Sequence, residues 1–289
     1  MLNKDQVARF WEHGYVVAAA GVDGGDLAAL TDQLDVWITE SRKHDANYGF
    51  DTEDGKARFD LEDGHSKDHP KLRRVSNPAD VSDSYRKVLW ESSIPDMVAD
   101  LIGPNVKFHH CKLNIKLPGM ETKVEYHQDH PYDPHTNDDM ITTLTLIDDM
   151  NEENGCIRVV PGSHRHHYSH FQDGEFTGMT PPDMQEEFEK ASVPIEGKAG
   201  DVCLMHTWTV HGGGPNRSDN PRRLLICDYN AADAFPLTYP AVPSPFTGRI
   251  VRGEASRVAR LTQPELEIRV PYKHDSFFGL TGQKAAGES

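Results

Sequence analysis

Across 289 residues, 46 acidic side chains stand against 30 lysines and arginines, a formal net charge of -16. Such an excess repels phosphate backbones and anionic membrane surfaces, which excludes nucleic acid and membranes as partners and leaves a small-molecule substrate. Four widely separated cysteines (Cys111, Cys156, Cys203 and Cys227), with no C-x-x-C pair among them, suit free thiols in a reducing cytoplasm and not a disulfide framework.

The length suits one large domain spanning 1–289. Val7, Phe10 and Trp11, then Leu27, Leu30, Leu34, Trp37 and Ile38, recur at helical spacing and predict two amphipathic helices, the second capped by Asp26 or Asp23. Between them, the apolar stretch from Tyr15 to Val22 is too short to span a membrane. From Lys43 to Lys71 the chain is rich in Asp, Glu, Gly and His, the composition of a long surface loop, either solvated or closing over a site as a lid. A third helix around Asp96 to Ile102 stops at Gly103-Pro104 and completes a mainly helical flank over 1–104.

Beyond it the pattern turns to strand. Val106 to Leu117 alternates, with Cys111, Leu113, Ile115 and Leu117 on one face and His110, Lys112, Asn114 and Lys116 on the other. Further strands are predicted at Met140 to Ile147, Cys156 to Val160, Asp201 to Met205 and Arg222 to Tyr229, with an acidic helix at Asp183 to Ala191 between them. Turn signals at Asn154-Gly155, Pro161-Gly162, Gly200-Asp201 and Gly212 to Gly214 separate the strands. The pattern is a mainly β chain, a sandwich or barrel of jelly-roll type over 105–235, followed by an extension at 236–289 whose tail from Gln283 to Ser289 is expected to fray.

Chemistry concentrates at two places. His127, Gln128 and Asp129 form an H-x-D triplet, and on a strand residues two apart project to one side, so both can reach one ion. A third ligand must come from elsewhere. His211 precedes three glycines that let backbone pass close to a site, while His206, five residues earlier, has the opposite strand parity and is its competitor. Two imidazoles and one carboxylate on one side of an open coordination sphere match the facial arrangement that holds non-heme Fe(II) and leaves room for substrate and dioxygen.

The triplet is followed in order by Gly155-Cys156-Ile157, Pro161-Gly162-Ser163-His164, Gly200-Asp201, His211-Gly212 and Arg222. That ordered set, within Lys71 to Tyr229, resembles the phytanoyl-CoA dioxygenase family of Fe(II)- and 2-oxoglutarate-dependent oxygenases. The resemblance implies a double-stranded β-helix, the cupin-like jelly roll, flanked by N-terminal α-helices. It also implies iron on His127, Asp129 and His211, and 2-oxoglutarate anchored by Arg222, with dioxygen as the other cosubstrate. A remote carboxylate suits a planar guanidinium that grips it with two parallel hydrogen bonds, although Arg223 beside it is the obvious confusion. The family places further cosubstrate contacts at positions matching His110, Lys112 and Thr145, and Asn114 shares their strand face if the apolar face of Val106 to Leu117 packs on the helices. Arg74 matches a ligand-contacting basic residue, with Arg73 as its neighbour in register. Asp228 shares strand parity with Arg222 and is a candidate for a substrate amine or hydroxyl, or for a structural salt bridge. His164 is structural by the same resemblance. His130 and His135 lie in a Pro- and Asp-rich loop that either lines the pocket mouth or is solvated.

The expected reaction is hydroxylation of an unactivated C–H bond in a small polar substrate, coupled to conversion of 2-oxoglutarate to succinate and carbon dioxide. Asp129 disfavours halogenation, since related halogenases replace that carboxylate with a small residue. Two other classes remain open: a metal-binding jelly roll without turnover, and a zinc hydrolase with similar ligands, against which Arg222 discriminates. The acidic Lys43 to Lys71 segment argues against an acyl-CoA substrate, and oligomeric state is not legible.

Overall fold

The computed structural model describes residues 1–268, so the tail from Gln283 to Ser289 lies outside the described residues. Helix α1 (Lys4–His13) begins at a reciprocal cap in which the Gln6 amide donates to the Asn3 side chain (2.9 Å) and the Asn3 amide donates to the Gln6 side chain (3.0 Å). It stops at Gly14, whose φ of 83° is the left-handed conformation that favours glycine. The short apolar stretch that follows is strand β1 (Tyr15–Ala18), and of the two cap candidates for α2 (Gly24–Ser41) it is Asp23 that accepts from the Gly25 and Asp26 amides.

The next segment departs from the composition-based expectation of a surface loop. Residues Phe59–Leu61 form β2, which pairs antiparallel with β3 (Leu72–Ser76). Arg58 and Asp60 are buried, with Arg58 meeting Asp80 at 3.4 Å and Asp60 meeting Arg73 at 2.8 Å. Charges that read as solvated are matched by partners from other segments, which composition cannot reveal. Two further helices, α3 (Pro78–Val81) and α4 (Asp83–Glu91), precede α5 (Ile94–Ile102), which ends at Gly103 as expected.

The β region comprises β4 (Val106–Lys116), β5 (Val124–His127), β6 (Met140–Leu146), β7 (Arg158–Val159), the hairpin β8 (Phe171–Gln172) and β9 (Glu175–Phe176), then α6 (Pro182–Ala191), β10 (Val193–Pro194), β11 (Val202–His206), β12 (His211–Gly213), β13 (Arg222–Ala231) and β14 (Ile250–Arg252). The large sheet runs β1-β11-β6-β13-β4-β3-β2, with β14 also on β4, and the small one runs β10-β7-β12-β5. All pairings within them are antiparallel. This is the expected double-stranded β-helix.

Side-chain alternation gives the large sheet two buried faces. Outward, Cys111, Leu113, Ile115, Ile141, Leu225, Cys227 and Tyr229 pack with Phe10, Leu30, Leu34, Tyr85, Leu89 and Val98 of the helices. Inward, Leu144, Leu146, Cys203, Met205, Leu224 and Ile226 meet Ile157, Val159 and Ile195 between the two sheets. The helices therefore seal one face and push the polar face of β4 into the barrel. Among the described residues all four cysteines are buried and free, and no helix is long and apolar enough to cross a membrane.

Candidate active site

β12 lies between β5 and β7, and its register sets His211 directly opposite His127, with ring centroids 4.2 Å apart. Asp129 arrives by another route than the strand parity expected for it. β5 ends at His127, and Asp129 sits in the following bend, where its amide donates to Thr207 O (2.9 Å) and its Oδ2 accepts from Thr142 Oγ1 (3.0 Å). Gln128, between the two, points away and donates to His166 O and Trp208 O while accepting from the Tyr168 amide. The middle residue of the triplet is thus an anchor that fixes the bend.

Asp129 Oδ1 lies 3.6 Å from His127 Nε2 and 3.7 Å from His211 Nε2. These separations are too long for hydrogen bonds and suit three ligands around one ion. His127 Nδ1 donates to Glu125 O (2.8 Å) and His211 Nδ1 to Thr209 O (3.0 Å). A carbonyl can only accept, so the proton sits on Nδ1 in both rings and each Nε2 presents a lone pair to the common point. Burial lowers the His211 pKa to about 4, keeping the ring neutral and able to ligate. The donor set fits a divalent metal such as ferrous iron.

His206 is elsewhere. It shares parity with Val202 and Leu204, faces the helices, and packs near Phe10, Trp11 and His164 at centroid distances of 6.3, 6.1 and 5.5 Å. His164 Nε2 donates to Trp11 O (3.3 Å) in the same corner.

Two cavities meet at the triad, sharing His127, Asp129, Arg74 and Lys112 as walls. The first continues past His211, Asn114, Leu144 and Ile226 into the barrel. On this inner face, β13 presents Asp228, Ile226, Leu224 and Arg222 in a row, with Arg222 opposite Lys116 of β4. The Arg222 guanidinium is 2% exposed and donates to Gly155 O (3.2 Å) and Asn114 O (3.4 Å). Burial lowers its pKa to about 10, leaving it charged at neutral pH. Lys116 is equally buried, donates to Gly214 O, and has its pKa pushed well down by burial and by Arg222. A buried guanidinium facing a buried lysine across strands is costly unless an anion joins them. Arg223, by contrast, faces outward and pairs with Asp148 and Asp35, both at 2.7 Å.

The second cavity opens past Tyr132, Asp133 and Asp228 to residues 52–57 and 241–243. His110 lies on this wall, its Nε2 3.3 Å from Asp228 and its Nδ1 4.0 Å from Asp133. His109 points the same way, 3.4 Å from Asp133, because a bulge at Asp228/Tyr229 inserts an extra residue opposite β13. The alternation of β4 hides His109, and the proline-rich loop hides Asp133, so neither carried a sequence signal; Lys116 was visible only as one of a row of polar side chains. Burial raises the Asp228 pKa to about 7, with Asp129 adding to the effect. Arg74, not Arg73, is the member of its pair that lines the cavities.

Two expected site residues are corrected. Thr145 faces the helices, opposite Leu225 and Val202 in the outer core, while Thr142 and Leu144 face the cavity. Aligned spacing put it one residue out of phase with the inner face. His130 is fully buried, stacked on Trp208 at 4.3 Å with Nε2 3.6 Å from Asp138, and lines neither cavity. Its loop folds inward and is not solvated: His135 is also buried, bonded to Asp133 O (2.7 Å) and Asn230 (2.8 Å).

A model of the phytanoyl-CoA dioxygenase family matches residues 10–224. The chain belongs to this family. It is 34% identical to a probable alpha-ketoglutarate-dependent hypophosphite dioxygenase of Stutzerimonas stutzeri over 70% of this chain and 71% of that one. It is 30% identical to the peroxisomal phytanoyl-CoA dioxygenase of Homo sapiens over 45% and 41% of the two chains. Among solved structures, the iron-bound EctD of S. alaskensis shares the fold with a TM-score of 0.69 at 20% identity, each chain being covered to 88%. The epimerase SnoN, in complex with Fe3+ and alpha ketoglutarate, does so with a TM-score of 0.63 at 22% identity over 90% of this chain and 96% of that one. As a member of the phytanoyl-CoA dioxygenase family, the chain is an iron- and 2-oxoglutarate-dependent dioxygenase.

Proposed function

We propose that this family member hydroxylates an unactivated C–H bond of a small polar molecule at the junction of the two cavities. The carrying observation is that His127, Asp129 and His211 turn their ligand atoms to one point there, all within 4.8 Å of one another. When bound, iron and 2-oxoglutarate supply the oxidation: substrate, 2-oxoglutarate and dioxygen become hydroxylated substrate, succinate and carbon dioxide. His127 and His211 hold the metal through Nε2 because their backbone acceptors fix the tautomer, and Thr142 orients Asp129. Arg222, at the end of the inner row on β13, grips the far carboxylate of 2-oxoglutarate, with Lys112 and Asn114 along the inner cavity, while His110 lies on the wall of the outer one. A zinc hydrolase or a bare metal-binding module has no use for the buried Arg222 and Lys116.

Substrate enters the second cavity, where Arg74 and Asp228 are the contacts we assign. One relative is named for 2-aminoethylphosphonate, and a polar wall of this kind favours such a compact, carbon-bearing molecule over an acyl chain. We assign the described part of the extension, 236–268, to the same oxygenase unit, since residues 241–243 close one side of that cavity.

The reading is tested by anaerobic Fe(II) titration with and without 2-oxoglutarate, following the weak visible charge-transfer band of the chelated cosubstrate. The expected band requires both components and is lost in Asp129→Ala. Tight metal binding with no band in the unaltered protein would overturn the assignment.

A further inference from the structure

The second cavity is walled by charges of both signs. Lys56, Arg74 and Lys112 stand on one side of the account, and Asp54, Asp133 and Asp228 on the other, with Asp129 set aside for the metal. Acidic and basic side chains thus face the same space, with Arg74 also meeting Asp60 at 3.6 Å, and the wall is not of one sign.

His110, between the acids, adds no charge. Burial lowers the His110 pKa to about 3, so the ring is neutral and carries one N–H. It lies between two carboxylates, Asp228 at 3.3 Å from Nε2 and Asp133 at 4.0 Å from Nδ1, and one proton can serve only one of them. Asp133 has another donor in the Ala241 amide at 2.8 Å. Asp228 is 6% exposed, and its Oδ1 is buried with no hydrogen-bond partner among the described residues. A buried carboxylate oxygen without a donor is costly, and the cavity beside it is where a ligand can bring one.

Resting on the oxygenase reading above, we infer that the substrate is a small zwitterion, its ammonium group held by Asp228 and Asp133 and its oxyanion by Arg74 and Lys112. The arrangement orients the molecule as well as binding it. A compact molecule with opposite charges at its two ends is fixed in one direction across the triad, so a single carbon between the charges is presented to the metal. A bare oxyanion satisfies only the basic wall and leaves Asp228 unpaired.

The test compares matched probes on the Fe(II)- and 2-oxoglutarate-loaded protein without oxygen, by titration calorimetry. 2-Aminoethylphosphonate is set against ethylphosphonate, which lacks the amine, and ethanolamine, which lacks the oxyanion; β-alanine and taurine are set against propionate and ethanesulfonate. At least one zwitterion should bind roughly tenfold or more tightly than either of its truncated partners. Asp228→Asn should erase that preference. Equal binding of the amine-free member in every pair, or binding of none of the zwitterions, overturns the proposal. The charge-transfer band in the same samples separates the two readings: a band without zwitterion preference rejects this inference alone, and no band rejects the oxygenase reading beneath it.

Discussion

Arg222 and Arg223 are adjacent in the chain and face opposite sides of one sheet, so strand parity alone decides which can meet a cosubstrate and which an exterior aspartate. Arg222→Lys keeps a cation but loses the planar fork, and should raise the KM for 2-oxoglutarate by roughly tenfold to a hundredfold with the metal still bound. An unchanged KM would remove Arg222 from the site. His206 gives the opposite test, since its ring packs under α1 and away from the triad. His206→Ala should retain stoichiometric Fe(II) while losing about 1–3 kcal/mol of stability in denaturant unfolding; lost metal would make His206, and not His211, the third ligand. At this scale the triplet His127 and Asp129 was legible because its spacing is local. Thr145 was not, because a shift of one residue exchanges the helix-facing and cavity-facing sides.

Elements bring the site together through their ends and irregularities. β5 stops at His127, and the bend after it, pinned through Gln128 and Thr207, aims Asp129; the bulge in β4 turns His109 and His110 to the same side. Gly155 shows how a turn serves the site. Its φ is 76°, a Cβ there would lie 2.8 Å from Gly214 O and Pro215 O, and its own carbonyl accepts from Arg222. Gly155→Ala should cost roughly 1–3 kcal/mol and raise the KM for 2-oxoglutarate as that carbonyl shifts. A variant with unchanged melting temperature and KM would dismiss the link between turn and anchor. The turn itself was readable as Asn154-Gly155. The bulge was not, since strict alternation is what the β4 sequence displays. Nor was α3, whose four residues are too few for a helical period to stand out.

Over the whole molecule, several imidazoles are held neutral by burial. His135, His170 and His206 have pKa values lowered to about 3 and His130 to about 4, from an ordinary 6.5. Between those limits the unfolded chain binds protons that the native chain refuses, so the stability is present above pH 6.5 and is lost as pH falls toward 4, each group contributing up to about 1.4 kcal/mol per pH unit. The urea midpoint of the metal-free protein should therefore drop steeply across that interval; a flat or rising midpoint would contradict the burial. The same burial marks the boundary of what the sequence could carry. Helical and alternating periodicity, turn residues and the H-x-D spacing are properties of neighbours along the chain, and they determined the mainly β jelly roll, its helical flank and three candidate ligands. Which face of each strand looks inward, which cation lies opposite Arg222, and how Asp133 and Asp228 come to share one imidazole depend on register between strands far apart in sequence. Only the packed tertiary structure decides those, because burial and charge pairing are free energies of contacts that the extended chain does not make.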